Sequence, residues 1–176
     1  MKVLIRADAS SKIGGGHIGR CLALAEAVRE FGGSATFATN VSADLGQSML
    51  TAAGIPFHAI DCGADWKSDA AATREVLGDT DWVIVDHYGL DARWQLTLKQ
   101  DGINILAIDD LANRQHACDI LVDPGRCFDD GEVYDGLISE ACIRLIGPRY
   151  QILRREFLVC KPLNKQKAST DLLVFF

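Results

Sequence analysis

The sequence predicts an α/β fold, an open, doubly wound, Rossmann-like parallel sheet, and three observations carry that expectation. Short apolar runs without polar alternation recur along the chain, as in strands buried on both faces of a parallel sheet. Amphipathic helical patterns, most of them stopped by a glycine, lie between the runs, which gives the βαβ alternation of this class. Acidic residues and histidines collect where the runs end, and open sheets of this kind bind their ligands outside the carboxyl ends of the strands.

The first run, VLIRA (3–7), passes through a glycine-rich loop into a helix with Ile18, Leu22, Ala25 and Val28 on one side and charges opposite. ATFAT (35–39) is the second strand, and Leu45 and Met49 ahead of Gly54 mark the second helix. PFHAI (56–60) is the third strand; the helix after it takes Ser68 as N-cap and Gly78 as stop. WVIVD (82–86) leads to a helix from Asp91 through Gln100, closed by Gly102, and INILAI (103–108) and CDILVD (118–123) complete the strands. After GPRYQILRREF (147–157) the chain turns polar and lysine-rich, then ends in DLLVFF. Residues 1–157 are therefore expected to form one domain, 158–170 a linker, and 171–176 the first strand of a second, truncated domain, free to pair with another copy of the chain.

Composition narrows the partners. The 176 residues hold 24 acidic and 18 basic side chains, a formal charge of −6, which opposes a nucleic-acid or anionic-membrane surface. An anionic ligand must then be held locally, by backbone N–H groups at a helix start and cations such as Arg6, Lys12 and Arg20. The six cysteines (Cys21, Cys62, Cys118, Cys127, Cys142 and Cys160) form no C-x-x-C pair, so reduced thiols and a cytoplasmic location are expected. Asp109 and Asp110, His116 and Cys118, and the acidic stretch DDGEVYDG (129–136) lack metal-ligand spacing; neither a metal nor a cofactor is expected.

The stretch IGGGHIGRC (13–21) carries the chemistry. Gly14, Gly16 and Gly19 match the dinucleotide fingerprint G-x-G-x-x-G, but the loop from the first strand is long and the second strand ends in Thr39 and Asn40 rather than an acid for a ribose. Gly14, Gly15 and Gly16 instead read as backbone that a bulky ligand approaches closely. His17 then opens a helix, where the dipole disfavours imidazolium and leaves a neutral ring able to take a proton. Arg20, one turn on, is placed to hold an anion or a carboxylate. At the other strand ends stand Asp8, the Asp86, His87 and Tyr88 cluster, Asp109 and Asp110, and Asp123. His17 is the expected general base, with the Asp86 to Tyr88 cluster next in line.

IRADASSKIGGGHIGRCLALAEAV, VIVDHYGLD, IDDLANRQHACDILVD and GPRYQILRREF resemble, in order and over essentially the whole chain, successive blocks of the PseG-type nucleotide-sugar hydrolases. The resemblance implies the N-terminal half of a GT-B architecture, two Rossmann-like domains facing across a cleft, and hydrolysis of UDP-2,4-diacetamido-2,4,6-trideoxy-β-L-altropyranose in pseudaminic acid synthesis. It implies that His17 activates the water, that Tyr88 lines the sugar pocket and that the other half holds most of the UDP, so that this chain alone is inactive. Asp123 departs from the asparagine expected at that position. With Asp8, Gly14, Gly15, Gly16, Arg20 and Asp110, Tyr88 completes the expected substrate-binding set. The alternatives are the acceptor half of a GT-B glycosyltransferase and a non-catalytic nucleotide-sugar-binding module.

Overall fold

A computed structural model describes residues 1–10, 14–63, 65–126 and 131–159. Its strands are β1 (Lys2–Ala7), β2 (Ser34–Asn40), β3 (Phe57–Ile60), β4 (Trp82–Asp86), β5 (Asn104–Ile108), β6 (Ile120–Asp123) and β7 (Ile143–Ile146). They form one sheet in the order β3-β2-β1-β4-β5-β6-β7, every neighbouring pair parallel. The order reverses between β1 and β4, so their carboxyl ends open the crevice in which such sheets bind ligands. Ala7 stands in register with Asp86 there.

Alternate residues of β1 face two separate cores. Val3, Ile5 and Ala7 pack with Ile18, Cys21 and Ala25 of α1 (Gly16–Glu30) and Leu50 of α2 (Asp44–Ala52). On the opposite face, Leu4 packs with Val83 and Val85, with Ala70 of α3 (Trp66–Glu75) and with Trp94 and Leu98 of α4 (Ala92–Lys99). The strands thus read as continuous apolar runs because both sides are covered.

Three local expectations are corrected. The N-cap of α3 is Asp65, whose side chain accepts from the N–H groups of Lys67 and Ser68; Ser68 adds its hydroxyl to the same carboxylate at 2.7 Å. A carboxylate at the helix start meets both the unpaired N–H groups and the positive end of the dipole, so it displaces the serine as cap. Strand β7 went unseen because it has four residues, an exposed Ile143 and a charged Arg144 that pairs with Asp135. The edge strand β3 leaves His58 and Ala59 exposed, unlike a strand covered on both faces.

Arg6, expected to help hold an anion, turns inward instead. It is 1% exposed and lies between two carboxylates, donating to Asp8 and Asp69. Trp94 donates its indole N–H to the same Asp69 at 2.8 Å. With two anionic partners in the core, this guanidinium has no charge left to offer a ligand.

Cys21, Cys62, Cys118 and Cys142 are buried free thiols, with the sulfurs of Cys118 and Cys142 3.6 Å apart. Cys127 and Cys160 lie outside the described residues. A short helix, α5 (Arg155–Val159), follows the last turn, and Arg155 pairs with Glu30 at the end of α1. The linker expected from 158 thus starts in helix; residues 160–176, with the DLLVFF strand, lie outside the described residues. Among the described residues no helix is long and apolar enough to cross a membrane.

Candidate active site

The glycine loop closes on itself before the helix begins. Gly14 donates its N–H to the carbonyl of Ser10 at 2.8 Å and adopts a φ of 72°, a left-handed conformation that glycine takes without steric cost. Gly15 is the N-cap of α1 and offers no side-chain cap. A Cβ on Gly16 would meet no atom within 4 Å, whereas one on Gly15 would press on the Met49 side chain at 3.1 Å. The three glycines therefore differ: the first is required by the backbone, and the third leaves open space beside the histidine. Lys12 lies outside the described residues.

His17 sits in the first turn of α1 with its Nδ1 2.6 Å from Oδ1 of Asp86, the last residue of β4. Asp86 is buried and also receives Nε and NH2 of Arg20, both at 2.5 Å. Burial pushes the Asp86 carboxyl up, but the hydrogen bonds of Arg20 and His17 outweigh it and hold the group below the usual carboxylate range. An ionised carboxylate has no proton to share, so the hydrogen in the His17 contact belongs to Nδ1. In the neutral ring Nε2 is then the lone pair. The 3.2 Å approach of Arg20 NH2 to His17 Nδ1 is then a contact between two donors that converge on one acceptor.

Tyr88 meets the His17 ring edge to face, with centroids 4.8 Å apart and an interplanar angle of 82°. Its hydroxyl donates to Asp110 Oδ2 at 3.2 Å, and Arg20 NH1 stands 3.7 Å from the same oxygen. His17, Arg20, Tyr88 and Asp110 thus form one linked cluster around Asp86. Arg20, expected to hold an anion or a carboxylate, is bonded to the protein's own Asp86. Asp8 lies on the other face of the sheet. Its Oδ1 accepts from the Asn40 N–H at 2.7 Å and the Thr39 hydroxyl at 3.1 Å, and its Oδ2 from Arg6. It ties the end of β1 to the end of β2.

Asp86 as the partner of His17 was missed as a pairing. It was visible only as a carboxylate at a strand end, because 69 residues separate it from the histidine. Arg114 was missed outright. Its NH1 lies 2.6 Å from the fully buried Asp109, and its guanidinium stands 5.9 Å from the centre of the Tyr88 ring. Asp123, the departing position, is also fully buried, where it accepts from Arg126 at 2.9 Å and from the Tyr134 hydroxyl at 2.9 Å. Its carboxylate locks a turn. Among the described residues no group of three or more His, Cys, Asp or Glu is placed to hold a metal ion.

The parallel sheet with its flanking helices has the fold of one Rossmann-like half of a GT-B protein. MurG of Acinetobacter baumannii superposes with a TM-score of 0.52 at 15% identity, over 70% of this chain and 41% of that one. The glycosyltransferase SsfS6 of Streptomyces sp. SF2575 gives a TM-score of 0.46 at 15% identity, over 65% and 40%. No family model matches. In sequence, the chain is 30% identical over 168 residues to the UDP-2,4-diacetamido-2,4,6-trideoxy-β-L-altropyranose hydrolase of Campylobacter jejuni. The match takes in 95% of this chain and 57% of that relative. The chain is thus a relative of the PseG hydrolase, as its motifs read.

Proposed function

We propose that the chain supplies the water-activating half of a UDP-sugar hydrolase acting on a UDP-linked 6-deoxy diacetamido sugar, within pseudaminic acid synthesis in the cytoplasm. The observation that supports this best is the 2.6 Å contact of His17 Nδ1 with Asp86, which turns Nε2 away from that carboxylate. A neutral imidazole with its second nitrogen bonded to a carboxylate is fixed in tautomer and orientation, and the carboxylate stabilises the imidazolium that forms. Nε2 takes a proton from water, the oxygen attacks the anomeric carbon, and the bond from that carbon to the diphosphate oxygen breaks. UDP carries away the electron pair and needs no strong general acid. Such a base contributes about 10²- to 10⁴-fold.

Gly14, Gly15 and Gly16 give the sugar close access to the start of α1, and Tyr88, Asp110 and Arg20 flank it, while Asp8 stands on the other face of the sheet. The diphosphate needs donors beyond this cluster, where Arg20 is already bonded to Asp86. Buried free thiols at four described cysteines support a reducing compartment. UDP release by the complete protein, with no acceptor present, tests the reading. A glycosyltransferase would release UDP only when given its acceptor, and a binding module would release none.

A further inference from the structure

Tyr88 stands at the corner of a tight turn. Asp86 faces His17 and Arg20, whereas His87 turns to the opposite face of the sheet and lines a cavity with Asp8 and Trp66. The chain then bends, so that Leu90 donates its N–H to the His87 carbonyl at 3.3 Å with Tyr88 and Gly89 between them. This turn brings the Tyr88 ring back to the His17 side, where it is 44% exposed. A half-exposed ring on a surface turn keeps its conformational freedom unless something holds it.

Arg114 holds it. Each of its three guanidinium nitrogens faces a protein acceptor: NH1 stands 2.6 Å from Asp109 Oδ1, Nε donates to the Leu90 carbonyl at 3.4 Å, and NH2 donates to the His87 carbonyl at 3.5 Å. The two carbonyl bonds are long and individually weak, but they fall on the first and last residues of the Tyr88 turn. The guanidinium also lies 5.9 Å from the centre of the Tyr88 ring, within reach of a cation–π contact. Asp110, from the same segment after β5, takes the Tyr88 hydroxyl at 3.2 Å. The anchor of this grip is firm, because Asp109 is fully buried and its Oδ2 accepts from the Ala112 N–H at 2.9 Å and the Tyr134 hydroxyl at 3.1 Å.

We propose that Arg114 is a positioning residue: it fixes the turn that carries Tyr88 and, through the Tyr88 ring, the orientation of His17. The inference rests on the hydrolase reading for the reaction that His17 performs. Asp86 holds the His17 ring at Nδ1 alone, so the ring can swing about that contact, and the edge-to-face meeting with Tyr88 closes one side of the swing. Arg114 itself is no ligand for the substrate, since its side chain is 13% exposed and every nitrogen already has a protein acceptor. A lysine would also neutralise Asp109. A single ammonium, however, cannot reach that carboxylate and both ends of the turn as a planar fork does, which separates positioning from charge neutralisation.

The test compares Arg114→Lys, Tyr88→Leu and the double variant, by the ¹H and ¹⁵N shifts of the His17 ring in this chain and by kcat for UDP release in the complete protein. Arg114→Lys should keep its urea midpoint close to that of the parent, yet move the His17 ring shifts towards their Tyr88→Leu values. It should also lower kcat by about tenfold or more, because small misplacements of a reacting group are costly. The double variant should be no worse than Tyr88→Leu alone, since the two residues act in series. Arg114→Gln combined with Asp109→Asn strands no charge in the core and should give the same shifts even if lysine disturbs folding. His17 shifts untouched by either replacement, full activity in Arg114→Lys, or losses that add in the double variant would overturn the proposal. A complete protein that releases no UDP would instead sink the hydrolase reading, while the His17 shifts would still report on Arg114.

Discussion

His17 and His87 stand at the end of the same strand in opposite tautomers. His17 gives its Nδ1 proton to Asp86 at 2.6 Å, and His87 receives the Gly89 N–H on its own Nδ1 at 3.1 Å. In the neutral rings one Nε2 is therefore a lone pair and the other an N–H donor. The division of labour is set by what each ring touches on its far side.

If His17 takes the proton from water, His17→Asn in the complete protein should lower the rate of UDP release by at least about a hundredfold, with KM little changed. A defect confined to KM would make His17 a binding residue.

Asp86→Asn should lower kcat by about tenfold to a hundredfold or more, because an amide can offer its N–H to Nδ1 and invert the tautomer. The ¹⁵N shifts of the His17 ring report that tautomer directly. An unchanged ring with reduced activity would assign Asp86 to holding Arg20 instead.

A Cβ on Gly89 would lie 3.0 Å from Cε1 and 3.3 Å from Nδ1 of His87. Gly89→Ala should therefore displace the ring and weaken the Gly89 N–H contact to Nδ1, at a cost in stability of less than about 1 kcal/mol. Chemical denaturation measures the cost, and the ¹⁵N shifts of the His87 ring report the displacement.

Arg6→Met should destabilise the fold by about 3–5 kcal/mol, because it strands Asp8 and Asp69 in the core without their cation. Arg6→Met combined with Asp69→Leu should recover part of that loss. Urea midpoints of the single and double variants decide it.

Stability should fall in two stages on acidification. The His87 pKa is lowered from 6.5, so below that value the unfolded chain binds a proton that the fold resists, and stability present above about pH 6.5 is lost towards the folded value. The carboxyls of Asp8, Asp86 and Asp109 are lowered from 3.8, so their contribution is lost as pH falls below about 4. Urea titrations from pH 8 to pH 3 should show both stages, and His87→Gln should remove the upper one.

The sheet was legible because burial on both faces writes itself into the sequence as apolar runs, and β7 was not because four residues with an arginine among them carry too weak a pattern. His17, Arg20, Tyr88 and Asp110 were found through helix and strand ends, and they do meet. Arg6 was misread because one charged residue in a strand gives no sign of which face it occupies; the two carboxylates that draw it inward, Asp8 and Asp69, lie 2 and 63 residues away. The pairing of Asp86 with His17 and the tautomer of His87 depend on atoms brought together only by the fold.

The register of Ala7 against Asp86 limits how this crevice can evolve. A single-residue insertion or deletion within Trp82–Asp86 would turn every following side chain to the other face of the sheet. His87 would then point towards α1 and the carboxylate towards α3. New specificities can arise by substitution around the crevice, or by loop lengthening beyond Tyr88, but lineages that gain or lose a residue inside β4 should be missing among active descendants.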